Sequence, residues 1–214
     1  MLGSAIAGFA HSPMRPFRDC KPWDLTLRSE ALVQDLLAGL DDGYDIVEGI
    51  ATHRTASIET GAVVKAPAII GPGCFIAAGA YVRQGCWLEA DCILGPGAEL
   101  KSSLLFRGTK LAHFNFVGDS ILGAEVNLEA GSIIANYRNE DPGNTICFLH
   151  DGVMMDTGVS KFGALVADGV RIGANAVVAP GAILSRGMVV GRLALVDRRG
   201  SPGEDIRVPR RIDR

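Results

Sequence analysis

A six-residue repeat is the feature that most constrains the fold of this chain. Three residues after most positions of the repeat comes a glycine, proline, aspartate or serine, which are residue types that turn a chain, and the next residue is nearly always small. A period of six fits neither the 3.6-residue period of a helix nor the two-residue alternation of hairpin strands. It is typical of a parallel β-helix in which each hexapeptide contributes one short strand and one turn. The aliphatic positions that define the repeat are Ile58, Val64, Ile70, Ile76, Val82, Leu88, Leu94 and Leu100.

The repeat divides the chain into three parts. We expect residues 1–54 to form a helical cap segment, residues 55–196 to form the β-helix and residues 197–214 to form a basic tail. Residues 138–160 interrupt the repeat and are rich in turn-forming residues, which predicts an inserted hairpin.

The cap segment contains one clear helical pattern. It predicts a single amphipathic helix over the open end or the side of the solenoid, because terminal repeats need such a cover. The apolar residues at helical spacing are Leu32, Val33, Leu36, Leu37 and Leu40.

The repeat becomes less regular after Leu104. Phe106 and Ala112 are expected to keep the six-residue register, whereas Val117 and Leu122 come one residue early. This irregularity indicates that something other than packing of the interior determines the sequence of this segment.

Composition excludes several classes of function. The net charge of −3 gives no electrostatic indication of nucleic-acid binding. The mildly apolar residues 2–10 are too short to span a membrane and lack the basic residues of a signal peptide, so we expect a cytoplasmic protein. Cys74 and Cys92 should stack as reduced thiols on neighbouring turns. No histidine accompanies them, and we expect no metal site.

Apolar residues at outward positions predict self-association, because a solenoid would otherwise expose them to water. If the assembly is cyclic, a trimer suits a three-sided prism. These residues are Phe75, Tyr81, Trp87 and Ile93.

Three residues are candidates for chemistry. Arg83 and Lys101 each follow a core aliphatic residue and should stack on adjacent turns as two outward cations, which suits a phosphate or diphosphate. Ordinary surface charge is the alternative. His113 is the histidine of the repeat region before the inserted loop, and an imidazole takes a proton from an amine near neutral pH. A structural histidine is the alternative.

Three longer runs resemble a known family. Lys-Leu-Ala-His-Phe-Asn-Phe-Val-Gly-Asp-Ser at 110–120 and Val-Asn-Leu-Glu-Ala-Gly-Ser-Ile-Ile-Ala-Asn-Tyr at 126–137 closely resemble the acetyltransferase domain of bifunctional N-acetylglucosamine-1-phosphate uridyltransferases. Residues 156–168 look like archaeal-type sugar-phosphate nucleotidyltransferase/acetyltransferases. The resemblance covers roughly residues 55–195. It implies an all-β, left-handed parallel β-helix, a homotrimer with active sites between subunits, and acetyl-CoA as co-substrate.

The resemblance also implies roles for particular residues. His113 falls on the general base that deprotonates the amino group of the sugar, and Arg83 and Lys101 fall on the phosphate contacts. Phe116 stands where the family has a tyrosine, so one hydroxyl contact to the substrate is missing. Asn127, Asn136 and Tyr137 fall on the family's contacts to the sugar and the acetyl group.

Three cationic residues are candidate cofactor contacts: Lys161, and Arg210 and Arg211 of the basic tail. The positive charge concentrated in the tail suits an anionic cofactor, and a solvated chain end is the alternative.

These features predict an acetyl-CoA-dependent N-acetyltransferase that acts on an amino sugar phosphate or a nucleotide-linked amino sugar. A longer-chain acyltransferase acting on a nucleotide sugar is one alternative. A non-catalytic hexapeptide scaffold protein is the other, and Phe116 is an argument for it.

Overall fold

The computed structural model describes residues 1–199 and shows a left-handed parallel β-solenoid. Residues eighteen apart in the regular region pair in parallel register, as Val64 does with Val82 and Val82 with Leu100. Three hexapeptides therefore make one triangular turn, and the prediction of a β-helix is confirmed.

The three faces of the prism are three sheets. Face A contains Tyr44–Val47, Ile50–His53, Ala68–Ile70, Cys86–Leu88, Leu104–Leu105, Ile121–Leu122, Ala164–Val166 and Ala182–Leu184. Face B contains Ser57–Ile58, Phe75–Ile76, Ile93–Leu94, Lys110–Leu111, Asn127–Leu128, Arg171–Ile172 and Val189–Val190. Face C contains Val63–Val64, Tyr81–Arg83, Glu99–Lys101, Phe116–Gly118, Ile133–Ile134, Val177–Val178 and Leu195–Val196. Within the three sheets the strands pair in parallel, except that Tyr44–Val47 pairs antiparallel with Ile50–His53.

The start of the solenoid lies within the segment expected to be the cap. Ile50–His53 pairs in parallel with Ala68–Ile70, so it belongs to face A. The inward residues of the repeat are fully buried from Ile70 to Leu100. Ile58 is 38% exposed because it lies in the first turn of the coil.

The expected register of Phe106 and Ala112 is wrong. Leu88 pairs with Leu105, so this turn is one residue shorter than the preceding one, in which Ile70 pairs with Leu88. Leu105 and Leu111 consequently face the interior, and the Phe106 ring packs outside the prism.

Serine side chains explain how the shorter turn closes. Ser102 adopts a left-handed conformation with φ of 47° at the corner. The buried Ser103 hydroxyl donates to the Lys101 carbonyl at 2.7 Å and accepts from the Ser120 N–H at 3.0 Å. The second bond satisfies the buried Ser120 N–H, whereas the Lys101 carbonyl also accepts a hydrogen bond from the Asp119 N–H at 2.9 Å.

The amino-terminal segment covers the side of the solenoid along face A. It contains α1 (Leu2–Ala5), α2 (Pro22–Leu27), α3 (Ser29–Leu37) and two 3₁₀ helices, Ala7–His11 and Arg15–Phe17. The expectation of a single helix is therefore too simple, and Leu40 lies beyond the end of α3. Trp87 is covered by this segment and is 4% exposed, so its outward position is no argument for self-association.

The insertion leaves the coil after Ile133–Ile134 and returns at Ala164–Val166. It contains the antiparallel strands Cys147–His150 and Val153–Asp156, which confirms the predicted hairpin. Phe162, where the insertion ends, packs edge-on against Trp23 of α2, with ring centroids 5.5 Å apart. Within residues 1–199, helices are all too short or too polar to cross a membrane.

Candidate functional site

The principal candidate residues lie along face C. His113 lies in the turn that leads from face B onto face C, and Phe116 begins the next strand of face C. Arg83 and Lys101 are the last residues of two neighbouring strands of face C and pair in register. The structure thus places the histidine and the two cations at opposite ends of the same face.

His113 presents an exposed side chain on a fixed backbone. Its carbonyl accepts a hydrogen bond from the Gly131 N–H at 2.8 Å, which ties this turn to the turn above it. Phe114 follows in the left-handed region with φ of 51° and is 73% exposed. The imidazole is therefore accessible to a ligand, and a large apolar ring is exposed beside it.

The two cations stack as predicted, but each has a carboxylate partner. Arg83 pairs with Glu99 at 2.7 Å, and its guanidinium lies over the Tyr81 ring, 5.8 Å from the centroid. The ammonium of Lys101 is 2.8 Å from Asp119 Oδ2 and 3.0 Å from Oδ1. Lys101 is only 8% exposed, so one of the two stacked cations is buried beside its carboxylate partner.

Asp119 is a site residue that the sequence reasoning missed. It is buried in a left-handed corner with φ of 45°, and its carboxylate also accepts a hydrogen bond from Asn136 Nδ2. Lys101, Asp119 and Asn136 come from three successive turns, and we call them the corner ladder. A regular spacing could not have located it, because the turn here is one residue short: Lys101 pairs in register with Gly118, and Asp119 is the next residue.

The other substrate candidates separate into two places. The Phe116 ring lies beside Asn136, since a Cβ added to Gly118 would be 2.8 Å from Phe116 Cζ and 2.7 Å from Asn136 Nδ2. Tyr137 follows Asn136 and is half-buried. Asn127 lies on face B, in register between Lys110 and Arg171. The structure therefore brings Phe116 and Asn136 together and places Asn127 on another face.

A cleft opens at the corner where face C meets face A. Its volume is about 720 Å³, and we call it the corner cleft. Its floor contains Lys101, Ser102 and Asp119, one wall is formed by residues 26–31, and the other by residues 158–161. Lys161, a predicted cofactor contact, thus shares this cleft with Lys101. Arg210 and Arg211 lie outside the described residues.

The wall formed by α3 is held directly against the solenoid. The Ser29 hydroxyl donates to the Gln84 carbonyl at 3.1 Å. Gly85 has φ of 75°, and a Cβ added there would collide with the backbone of Ser29 and Glu30. Glycine is required at this corner because it provides both the backbone conformation and the close approach.

The described part of the chain contains no group of three or more His, Cys, Asp or Glu side chains that could hold a metal ion. The corner cleft brings Lys101 and Lys161 together, and its polar side chains suit part of an organic co-substrate.

Comparison with known proteins agrees with the six-residue repeat. Residues 67–102 match the family model described as bacterial transferase hexapeptide (six repeats). The chain is 34% identical over 183 residues to the bifunctional protein GlmU of Methanococcus maripaludis, covering 83% of this chain and 43% of the relative. It is 28% identical over 193 residues to a bifunctional sugar-1-phosphate nucleotidylyltransferase/acetyltransferase of Sulfurisphaera tokodaii, covering 88% and 48%.

Solved structures with a similar chain path include a hexapeptide transferase family protein from Anaplasma phagocytophilum. It is 18% identical, the match covers 68% of this chain and 72% of that one, and the TM-score is 0.40. The chain spans less than half the length of the two curated relatives described above. The repeat match and the curated relatives show that the chain carries the hexapeptide repeat of bacterial transferases and is similar over most of its length to a GlmU protein and to a sugar-1-phosphate nucleotidylyltransferase/acetyltransferase.

Proposed function

We propose that this chain is an acetyl-CoA-dependent N-acetyltransferase whose acceptor is an amino sugar phosphate or a nucleotide-linked amino sugar. The observation that carries the proposal is the order of groups along face C, with an accessible imidazole at one end and the corner ladder at the other. The name of the Sulfurisphaera relative, which includes acetyltransferase, supports the same reaction class.

His113 acts as the general base in this proposal. As the amine nitrogen attacks the thioester carbonyl, the neutral imidazole accepts a proton from the nitrogen. The new C–N bond forms and the C–S bond breaks, so that coenzyme A leaves as a thiolate. The imidazolium then returns its proton to the thiolate, and the histidine is neutral again.

The acceptor extends along face C from His113 toward the corner cleft. Arg83 and Lys101 bind its phosphate, Asn136 and Tyr137 contact the sugar, and Phe116 provides an apolar surface. The paired carboxylates Glu99 and Asp119 hold the two cations in place before the ligand arrives.

A homotrimer completes the site. Asn127 lies on face B, so it contacts an acceptor on face C where face B of one copy meets face C of the next. Half-exposed or exposed apolar residues of both faces, including Phe75, Ile93 and Phe114, support such contact. Acetyl-CoA lies at the same boundary, with Lys161 contacting its phosphates.

The test is release of coenzyme A from acetyl-CoA in the presence of glucosamine-1-phosphate and of a panel of nucleotide-linked amino sugars. We expect turnover with at least one acceptor and a loss of about 100-fold or more in kcat for His113→Ala, because general-base catalysis contributes that much. His11→Ala, which removes an exposed histidine of the amino-terminal segment, is the control and should keep full activity. Full activity of His113→Ala, or no turnover with any acceptor, contradicts the proposal.

A further inference from the structure

The corner cleft has walls that belong to no repeat. One wall is the junction of α2 and α3, and the other is the end of the insertion, whereas only the floor comes from the coil. The cleft volume of about 720 Å³ lies within the range of about 300–1,000 Å³ that holds small ligands. The amino-terminal segment therefore does more than cover face A.

The elements that form the two walls pack directly against each other. Trp23 of α2 packs against Phe148 and Phe162 of the insertion, with centroids 5.9 Å and 5.5 Å away. Asp168 accepts hydrogen bonds from the Ala7 N–H at 2.9 Å, which ties the start of the chain to the coil. A cleft whose walls are already packed together binds a ligand at a lower ordering cost.

The residues that line the cleft include more cations than carboxylates. On the floor, Lys101 and Asp119 neutralise each other. On the walls, within residues 1–199, neither Arg28 nor Lys161 has a carboxylate oxygen within the 4.0 Å of an ion pair, and both side chains are exposed. Glu30 is the remaining acidic lining residue, so cations outnumber carboxylates around the cleft.

Arg28 is held in a conformation that leaves hydrogen-bond donors free. Its Nε donates to the Asp24 carbonyl at 3.2 Å, which fixes the side chain on α2. The two terminal nitrogens remain available for two oxygens of one anion, the geometry in which arginine binds phosphate best.

We infer that the corner cleft is a phosphate-binding site and that the amino-terminal segment supplies one of its ligands, Arg28, opposite Lys161 of the insertion. This inference deepens the proposed function, because the cleft floor contains the Lys101 of face C. The phosphate belongs to the acceptor or to coenzyme A. In both cases the ligand class is a phosphate ester with its anionic end in the cleft.

The test is calorimetric titration of the full chain, without turnover, using glucosamine-1-phosphate in one series and coenzyme A in another. Ala31→Trp fills the cleft from α3, and Gln34→Trp places the same ring on exposed helix surface that does not line the cleft. Arg28→Glu reverses a charge in the cleft wall, and Arg18→Glu reverses one on exposed surface of the same segment. Thermal unfolding of each variant checks that it folds.

We expect Ala31→Trp and Arg28→Glu each to weaken binding of one of the two ligands about tenfold or more. The tryptophan occupies the space of the ligand, and the glutamate replaces a hydrogen-bonding cation by a charge that repels phosphate. Both controls should bind like the wild type. The ligand whose binding weakens shows whether the phosphate in the cleft belongs to the acceptor or to coenzyme A. Binding that weakens in this way without any acetyl transfer upholds this inference and contradicts the proposed function. The inference is overturned if both cleft variants bind the ligands and transfer acetyl groups as well as the wild type does. It is also overturned if the wild-type protein binds neither ligand.

Discussion

Face A and face C are built by the same repeat, yet their outward residues have different surroundings. On face A the outward residues are buried beneath the amino-terminal segment. On face C the outward residues in the middle of the sheet include Tyr81, Glu99 and Phe116, which remain partly exposed. The inward residues of both faces are equally aliphatic and buried. The repeat therefore determines the scaffold, and the outward residues determine whether a face packs internally or stays available to a ligand.

The largest expected difference between the two faces is in the free energy of unfolding after a large side chain is removed from each. Trp87 on face A packs edge-on against Phe106, with centroids 5.2 Å apart. Trp87→Ala should lower the free energy of unfolding by about 3–5 kcal/mol, because it leaves a cavity beneath the amino-terminal segment. Tyr81→Ala, one strand earlier on face C, should cost about 1 kcal/mol. Urea unfolding measures both values, and equal losses would contradict the contrast between a covered face and an open one.

A smaller difference in stability is expected between breaking the buried and breaking the exposed ion pair at the end of face C. Asp119→Asn leaves the buried ammonium of Lys101 without its charge partner, so we expect a loss of about 3 kcal/mol in unfolding free energy. Asparagine suits the left-handed conformation of residue 119, so the backbone is not strained by the change.

Glu99→Gln is the matched variant for the exposed pair. The side chains of Arg83 and Glu99 are 27% and 32% exposed, and the loss should be at most about 1 kcal/mol. The double variant Asp119→Asn with Lys101→Met should recover part of the loss, since no charge is then left buried. A loss for Glu99→Gln as large as that for Asp119→Asn would show that burial does not distinguish the pairs.

The smallest effect concerns an ion pair beside face C. Arg138 in the insertion donates to Asp197 Oδ1 at 2.6 Å. Partial burial acts to raise the pKa of Asp197, but the hydrogen bonds from Arg138 and from the Arg199 N–H outweigh it and hold the pKa below its ordinary value. Because the folded pKa is lowered, the stabilisation is present above the ordinary aspartate value of about 3.9 and is lost as the pH falls through the lower folded value.

We therefore expect Asp197→Asn to be less stable than the wild type at neutral pH by about 1 kcal/mol. The two proteins should become equally stable in acid. Thermal unfolding at a series of pH values measures the difference. If the stability difference between the two proteins stayed constant down to acid pH, ionisation of Asp197 would not be its cause.

The sequence predicted the interior better than the surfaces, for a physical reason. The inward positions from Ile70 to Leu100 repeat because every turn buries the same column, so a local period reveals them. The step to Leu105 was missed because the shorter corner depends on serine hydroxyls, which a hydrophobic pattern does not record.

The surroundings of the outward residues depend on contacts between distant segments. The sequence predicts that self-association covers Trp87, whereas the segment that covers it belongs to the same chain and is far away in the sequence. Asp119 lay within a recognised run, but its role became visible only when the coil placed it beside Lys101 and Asn136. The corner cleft was not predicted, because its two walls come from the parts of the chain that lack the repeat.

A crystal structure with coenzyme A and an acceptor such as glucosamine-1-phosphate tests most directly whether face C is the ligand face. We predict that the amino group of the acceptor lies within hydrogen-bond reach of the His113 imidazole, about 2.6–3.2 Å, and that its phosphate extends toward Lys101 and the corner cleft. An acceptor bound with its amino group remote from His113, or on a surface that does not include face C, would contradict the account.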